Sequence, residues 1–139
     1  MTALQLNAWF VYHAPTDDTK PRYEAIRKKE EDAHVVVTHA LNGVVWDDAE
    51  KELRPAKGLP ERFAEINRIC KELAQTIEQH APGCADTTVA VRAVRLAKMY
   101  ANEAVVLGQV TGDAAVVQAH EQLRQARFWA NAAIACGGI

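Results

Sequence analysis

Pro60-Glu61-Arg62-Phe63-Ala64-Glu65-Ile66-Asn67-Arg68-Ile69-Cys70-Lys71-Glu72-Leu73-Ala74-Gln75-Thr76-Ile77 is the stretch that decides the fold. Phe63, Ile66, Cys70, Leu73 and Ile77 recur in steps of three and four, which stacks them as one apolar stripe on a helix. The spacing predicts a helix over about 60–80, opened by Pro60 and ended by Pro82-Gly83. Downstream, a second helix is expected over 86–107, capped by Asp86 or Thr87. Its seam is Val91, Val94, Ala97, Ala101 and Ala104, widened by Val89, Leu96, Met99 and Val106. Gly108 ends it. A turn at Thr111-Gly112-Asp113 leads to a helix over 114–135, with Val116, Leu123, Ala126, Ala130 and Ile134 as its seam and Gly137-Gly138 as its stop signal.

Upstream, Tyr23, Ile26, Ala33, Val36, Val37 and Leu41 predict a helix over 21–41, with Thr16–Pro21 as a capped turn and Pro21 as a first helical residue. The β-branched run Val35-Val36-Val37 favours strand locally, but the flanking periodicity favours helix. Residues 42–59 are the least regular. Asp47–Leu53 reads there as a short helix with an aspartate cap, stopped by Pro55 and Gly58. Leu4, Leu6, Trp9, Phe10 and Tyr12 make residues 1–15 too apolar to float, so this arm is expected to dock on the body. The fold class is all-α: one domain over 1–139, built of antiparallel helical hairpins with short connections.

Composition agrees with a single globular unit. The chain has 139 residues, 49% of them hydrophobic and 24% charged, enough to bury one core. Its 16 basic and 18 acidic residues give a formal net charge of -2, which argues against a protein that coats polymeric nucleic acid. Cys70, Cys84 and Cys136 form no CxxC pair and, being odd in number, suggest no disulfide framework. No membrane span or leader is visible, and a cytoplasmic location is expected.

The chain also repeats itself. Arg22-Tyr23-Glu24-Ala25-Ile26-Arg27 opens the first long helix much as Arg62-Phe63-Ala64-Glu65-Ile66-Asn67 opens the second. Arg95–Ala104 in the third long helix matches Arg124–Ala133 in the fourth without gaps. The simplest account is a duplicated hairpin, with 60–80 and 86–107 as the inner pair and 21–41 and 114–135 as the outer pair. Asn102 and Asn131 recur among small residues in this pattern, where an amide fixes register by bonding across a seam.

Phe10-Val11-Tyr12-His13-Ala14-Pro15 sets an aromatic surface and an imidazole ahead of Arg22, Arg27, Lys28 and Lys29. That combination suits a small anionic aromatic ligand. Phe-x-Tyr-His-x-Pro, then Arg22–Arg27, then Trp129-Ala130-Asn131-Ala132-Ala133-Ile134-Ala135 resembles, in order and spacing, the phage helical-hairpin proteins that act as cyclic-nucleotide sponges. Asp86–Arg92 is similar to the start of that family's second helix. The family blocks CBASS and Thoeris immunity. The resemblance covers about half of the chain and implies sequestration without catalysis, no cofactor, a homo-oligomer, and a cyclic oligonucleotide or cyclic ADP-ribose-type ligand held between protomers in the infected bacterial cell. It implies base stacking on Tyr12 and phosphate binding at Arg27, with His13, Arg22 and Lys28 as neighbours, and a second pocket at Thr87, Thr88 and Arg92. The chain departs from the family in carrying two hairpins and a 43–58 insertion. Asn67 stands where the first copy has Arg27, and no Tyr-His precedes the second copy.

Other chemistry finds little support in the sequence. His13, His34, His39, His80 and His120 form no HExxH or zinc spacing, so no metal is expected. No phosphate loop or nucleophile elbow is present. Glu30-Glu31-Asp32 reads as a solvated helix face, Cys70 as a small buried hydrophobe, and Trp46, Phe128 and Trp129 as core or interface aromatics. The alternative to a ligand-binding protein is a structural or scaffold helical oligomer.

Overall fold

The computed structural model describes residues 2–110 and 112–138. Its elements are α1 (Ala3–Trp9), α2 (Thr19–Leu41), β1 (Val44–Asp47), β2 (Glu52–Pro55), α3 (Leu59–His80), α4 (Ala85–Val106) and α5 (Ala114–Ala135). The four long helices fall where hydrophobic spacing places them. Thr111, part of the expected turn before α5, lies outside the described residues.

The long helices close in a ring, each packing on its neighbours in sequence, with α2 also packing on α5. Cross-helix pairs fix the directions. Lys29 meets Glu72 while Arg62 reaches Ala40 and Leu41, so α2 and α3 run antiparallel. His34 meets His120 while Glu30 meets Arg127, so α2 and α5 do too. The pairs expected as inner and outer hairpins are thus two sides of one ring. The most intimate pair is α4 with α5. Ala90, Ala93, Ala97, Ala101 and Ala104 on α4, and Ala115, Ala119, Ala126, Ala130 and Ala133 on α5, are all buried. Methyl side chains let two backbones approach closely. The bulk of the core comes from Ile26, Val37, Ile66, Leu73, Ile77 and Leu123.

The helix ends are satisfied by specific partners. Thr16 and Thr19 cap reciprocally, each hydroxyl accepting from the other's backbone N–H, at 2.8 and 3.1 Å. This starts α2 ahead of Pro21, which sits inside the first turn, where its missing N–H costs nothing. At the other end, Arg62 donates to the carbonyls of Leu41 (3.0 Å) and of Ala40 (2.7 Å), the latter also accepting from the Gly43 backbone N–H at 3.1 Å.

The short helix expected over Asp47–Leu53 is a β-hairpin instead. β1 and β2 pair antiparallel, Val44 opposite Pro55 and Asp47 opposite Glu52. Asp47 does accept from backbone N–H groups, those of Ala49 (3.0 Å) and Glu50 (3.1 Å), but it closes a turn rather than starting a helix. Arg54 then ties the hairpin to the first turn of α3 through a two-pronged bond to Glu61, 2.8 Å on each arm. With the Lys57 backbone N–H also donating, these bonds hold the Glu61 carboxyl down at about 2. Gly43 makes the exit from α2 at φ +75°, and a Cβ there would meet no atom within 4 Å. Gly43→Ala therefore tests backbone conformation alone. It is expected to cost about 1 kcal/mol in urea denaturation, the penalty of a left-handed non-glycine residue.

The arm is largely uncovered rather than docked along its length. α1 has no buried residue, and Phe10 and Tyr12 are 81% and 83% exposed. Its described attachment is local: the Cys136 thiol donates to the Ala8 carbonyl at 3.5 Å. Trp46, Phe128 and Trp129 are also 40–51% exposed, so none belongs to the core of this chain. No helix among the described residues is long and apolar enough to cross a membrane.

Candidate functional site

The second predicted cluster comes together. Thr87, Thr88 and Arg92 share a groove of about 420 Å³ with Glu78, Ala81, Gly83, Cys84 and Val91, where α3 hands over to α4. Pro82-Gly83 breaks the helix there, and Cys84 stands at the N-cap of α4 with its thiol on the Thr87 hydroxyl at 3.6 Å rather than on the backbone. The first N–H groups of a helix lack internal partners and carry the positive end of its dipole. Thr87 is buried and donates to the Pro82 carbonyl, which fixes the turn, while Thr88 and Arg92 are exposed on the following turn. The groove thus offers the first amide groups of α4 and the Arg92 guanidinium beside the apolar faces of Ala81 and Val91, while the Thr87 and Thr88 hydroxyl protons are already donated to the Pro82 and Cys84 carbonyls. Glu78 is the one acid on its wall among the described residues.

The first predicted cluster is dispersed. Tyr12 lies exposed in the segment between α1 and α2. The His13 ring Nε2 donates to the Ala8 carbonyl at 2.7 Å, holding the chain back toward α1. Arg22 pairs with Asp18 at 3.3 Å on its own helix. Arg27 is bonded to Glu24 (2.7 Å) and Glu31 (2.5 Å), which raise its already high proton affinity further. Lys28 is exposed. No hydrogen bond or ion pair joins Tyr12, His13, Arg22, Arg27 and Lys28 to one another among the described residues.

A third constellation is absent from the sequence reading. Glu30, expected on a solvated face, is only 6% exposed and sits between α2 and α5. It accepts from the Arg127 guanidinium and, at 2.6 Å, from His34 Nε2. His34 Nδ1 meets His120 Nδ1 at 2.7 Å, with the rings stacked 4.9 Å apart. Since Glu30 accepts from His34 Nε2, a neutral His34 accepts at Nδ1 from His120 Nδ1–H, whereas a protonated His34 donates from both nitrogens and His120 Nδ1 accepts. Burial alone would push the Glu30 carboxyl up, but bonds from His34 and Arg127 outweigh it and leave it below 4.5.

His120 is held below its usual 6.5, first by burial and then by His34 and Arg124. An unfolded chain therefore takes up a proton on His120 at a pH where the folded chain does not. The stabilisation is full above about 6.5 and is lost as pH falls toward the folded value. Thermal melts from pH 7.5 to 5.5 are expected to show a falling Tm, with a flatter profile for His120→Gln.

Cys70 is buried and inert, its thiol pushed up to about 11 by burial. Of the two asparagines expected to bond across a seam, Asn102 does so, its amide reaching Asn67 on α3 at 3.5 Å. The side-chain oxygens of Asn102 and Asn131 are buried without a partner. Among the described residues no group of three His, Cys, Asp or Glu is arranged to hold a metal ion. No protein-family model, no curated protein and no solved structure matches this chain.

Proposed function

We propose that this chain binds and sequesters a cyclic nucleotide second messenger without cleaving it, in the cytoplasm of an infected bacterial cell, and so blocks CBASS- or Thoeris-type signalling. The observation that carries the reading is the convergence of Thr87, Thr88 and Arg92 in one groove at the start of α4. A helix N-terminus attracts a phosphate through its free N–H groups and dipole. An arginine fork adds charge-assisted bonds that neutral donors do not match.

The arm supports the reading in a second way. Phe10 and Tyr12 stand largely exposed, and a base stacked on such a ring gains about 1–3 kcal/mol. The carboxylates on Arg27 are exposed partners. Surface pairs contribute about 0–1 kcal/mol, so a phosphate can take their place. A second protomer that brings its Tyr12 and Arg27 toward this groove would enclose the ligand and slow its release.

Exposed Leu96, Met99, Val106, Leu107 and Phe128 favour a second reading, a helical oligomer with no ligand. Titration calorimetry with cyclic di- and trinucleotides and cyclic ADP-ribose isomers separates the two. Sequestration predicts binding to at least one of them, weakened at least tenfold by Arg92→Ala. A scaffold predicts no heat with any.

A further inference from the structure

α1 touches the body beside the C-terminal end of α5, and the contact leaves a second groove of about 420 Å³ between α1, α4 and α5. Its lining is Trp9, Asp86, Val89, Trp129, Ala132 and Cys136. Two indoles from different elements border one slot, each still about 40% exposed. Among the described residues, Asp86 supplies the one carboxylate on its wall and makes no hydrogen bond or ion pair.

Helical geometry joins this slot to the groove described above. At about 100° per residue, Thr88, Arg92, Val89 and Asp86 follow one another around α4 within an arc of about 160°. Thr88 and Arg92 border the anion groove, while Val89 and Asp86 border the aromatic slot. A ligand lying across this strip would set a phosphate at one end and a flat ring at the other.

From this juxtaposition we infer that Trp9, Trp129 and Asp86 form a base subsite selective for guanine; the inference rests on the proposed binding of a cyclic nucleotide. Indoles stack on any base, so they supply affinity without choice. A carboxylate is an acceptor-only group with two oxygens. Guanine presents two adjacent donors, N1–H and the N2 amino group, and satisfies both oxygens at once. Adenine offers a single amino group next to a ring-nitrogen acceptor, which would face the carboxylate lone pairs. A simple organic cation also suits indoles and a carboxylate, but it carries nothing for Arg92 to hold.

The test uses the full chain carrying Trp46→Phe, so that emission reports on Trp9 and Trp129 alone. Guanosine monophosphate, adenosine monophosphate, cyclic di-GMP, cyclic di-AMP and choline are titrated in turn. Guanine nucleotides are expected to quench the emission and to bind at least tenfold more tightly than their adenine counterparts. Asp86→Asn is expected to bring the two within twofold while Trp129→Phe keeps the preference, with circular dichroism confirming that both variants fold. Equal affinity for the two bases, a preference that survives Asp86→Asn, or quenching by choline in place of guanine overturns the subsite. If cyclic di-AMP binds as well as cyclic di-GMP and both lose affinity with Arg92→Ala, the subsite fails and sequestration stands. If guanosine monophosphate binds in an Asp86-dependent way but no cyclic di- or trinucleotide or cyclic ADP-ribose isomer binds, the subsite stands and sequestration fails.

Discussion

Replacing Glu30 with alanine is expected to destabilise the chain by about 1–3 kcal/mol, because it leaves a half-buried guanidinium and imidazole without their shared acceptor. Glu30 is the hinge of the Arg127–Glu30–His34–His120 chain that ties α2 to α5. The penalty comes from the orphaned partners rather than from the loss of an attractive pair, since replacing a whole buried pair with apolar groups is often neutral. A double-mutant cycle therefore discriminates. Glu30→Ala and Arg127→Ala are each expected to cost more singly than their combination implies, with a coupling of about 0.5–3 kcal/mol in urea denaturation. Additive losses would mean that the two side chains act independently.

Leu73→Ala carries the second large effect, about 2–5 kcal/mol. Leu73 is fully buried at the middle of the α3 stripe, in the same core as Ile66, Ile77 and Leu123. Much of the remaining core is alanine. An alanine has no rotamer with which to fill a neighbouring void, so the cavity persists and the cost should fall toward the upper end. Differential scanning calorimetry at neutral pH reads it directly. A loss under 1 kcal/mol would show that the bundle collapses around the vacancy.

The helices were legible because each carries its own burial pattern. Phe63, Ile66, Cys70, Leu73 and Ile77 state α3 without help from the rest of the chain, but the expected hairpins joined α3 with α4 and α2 with α5, whereas the closest pair is α4 with α5. The hairpin at Val44–Pro55 was hidden by Asp47, whose side chain bonds the next backbone N–H groups in a turn just as it would at a helix start. What decides between them is Arg54 reaching Glu61, a tertiary contact. Glu30 misled for the opposite reason. Next to Glu31 and Asp32 it looks solvated, and only its one-turn spacing from His34, together with Arg127 seven residues after His120 on α5, hints at a cross-helix chain. Sequence gives such spacings but not which helix faces which.

The candidate site divides the same way. Thr87, Thr88 and Arg92 lie within two turns of one helix, so their meeting follows from local geometry. Tyr12 and Arg27 belong to different segments, and their relation depends on how an uncovered arm is seated. Trp9 and Trp129 are far apart in sequence, and nothing local pairs them.

Retention of an intact ligand tests the central claim most directly. The chain is incubated with a mixture of cyclic di- and trinucleotides and cyclic ADP-ribose isomers, desalted, denatured by heat, and the released small molecules are weighed by mass spectrometry. Sequestration predicts one cyclic species recovered unchanged in near-stoichiometric amount, and its loss from the Arg92→Ala chain. Recovery of nothing, or of a linear product, would contradict it.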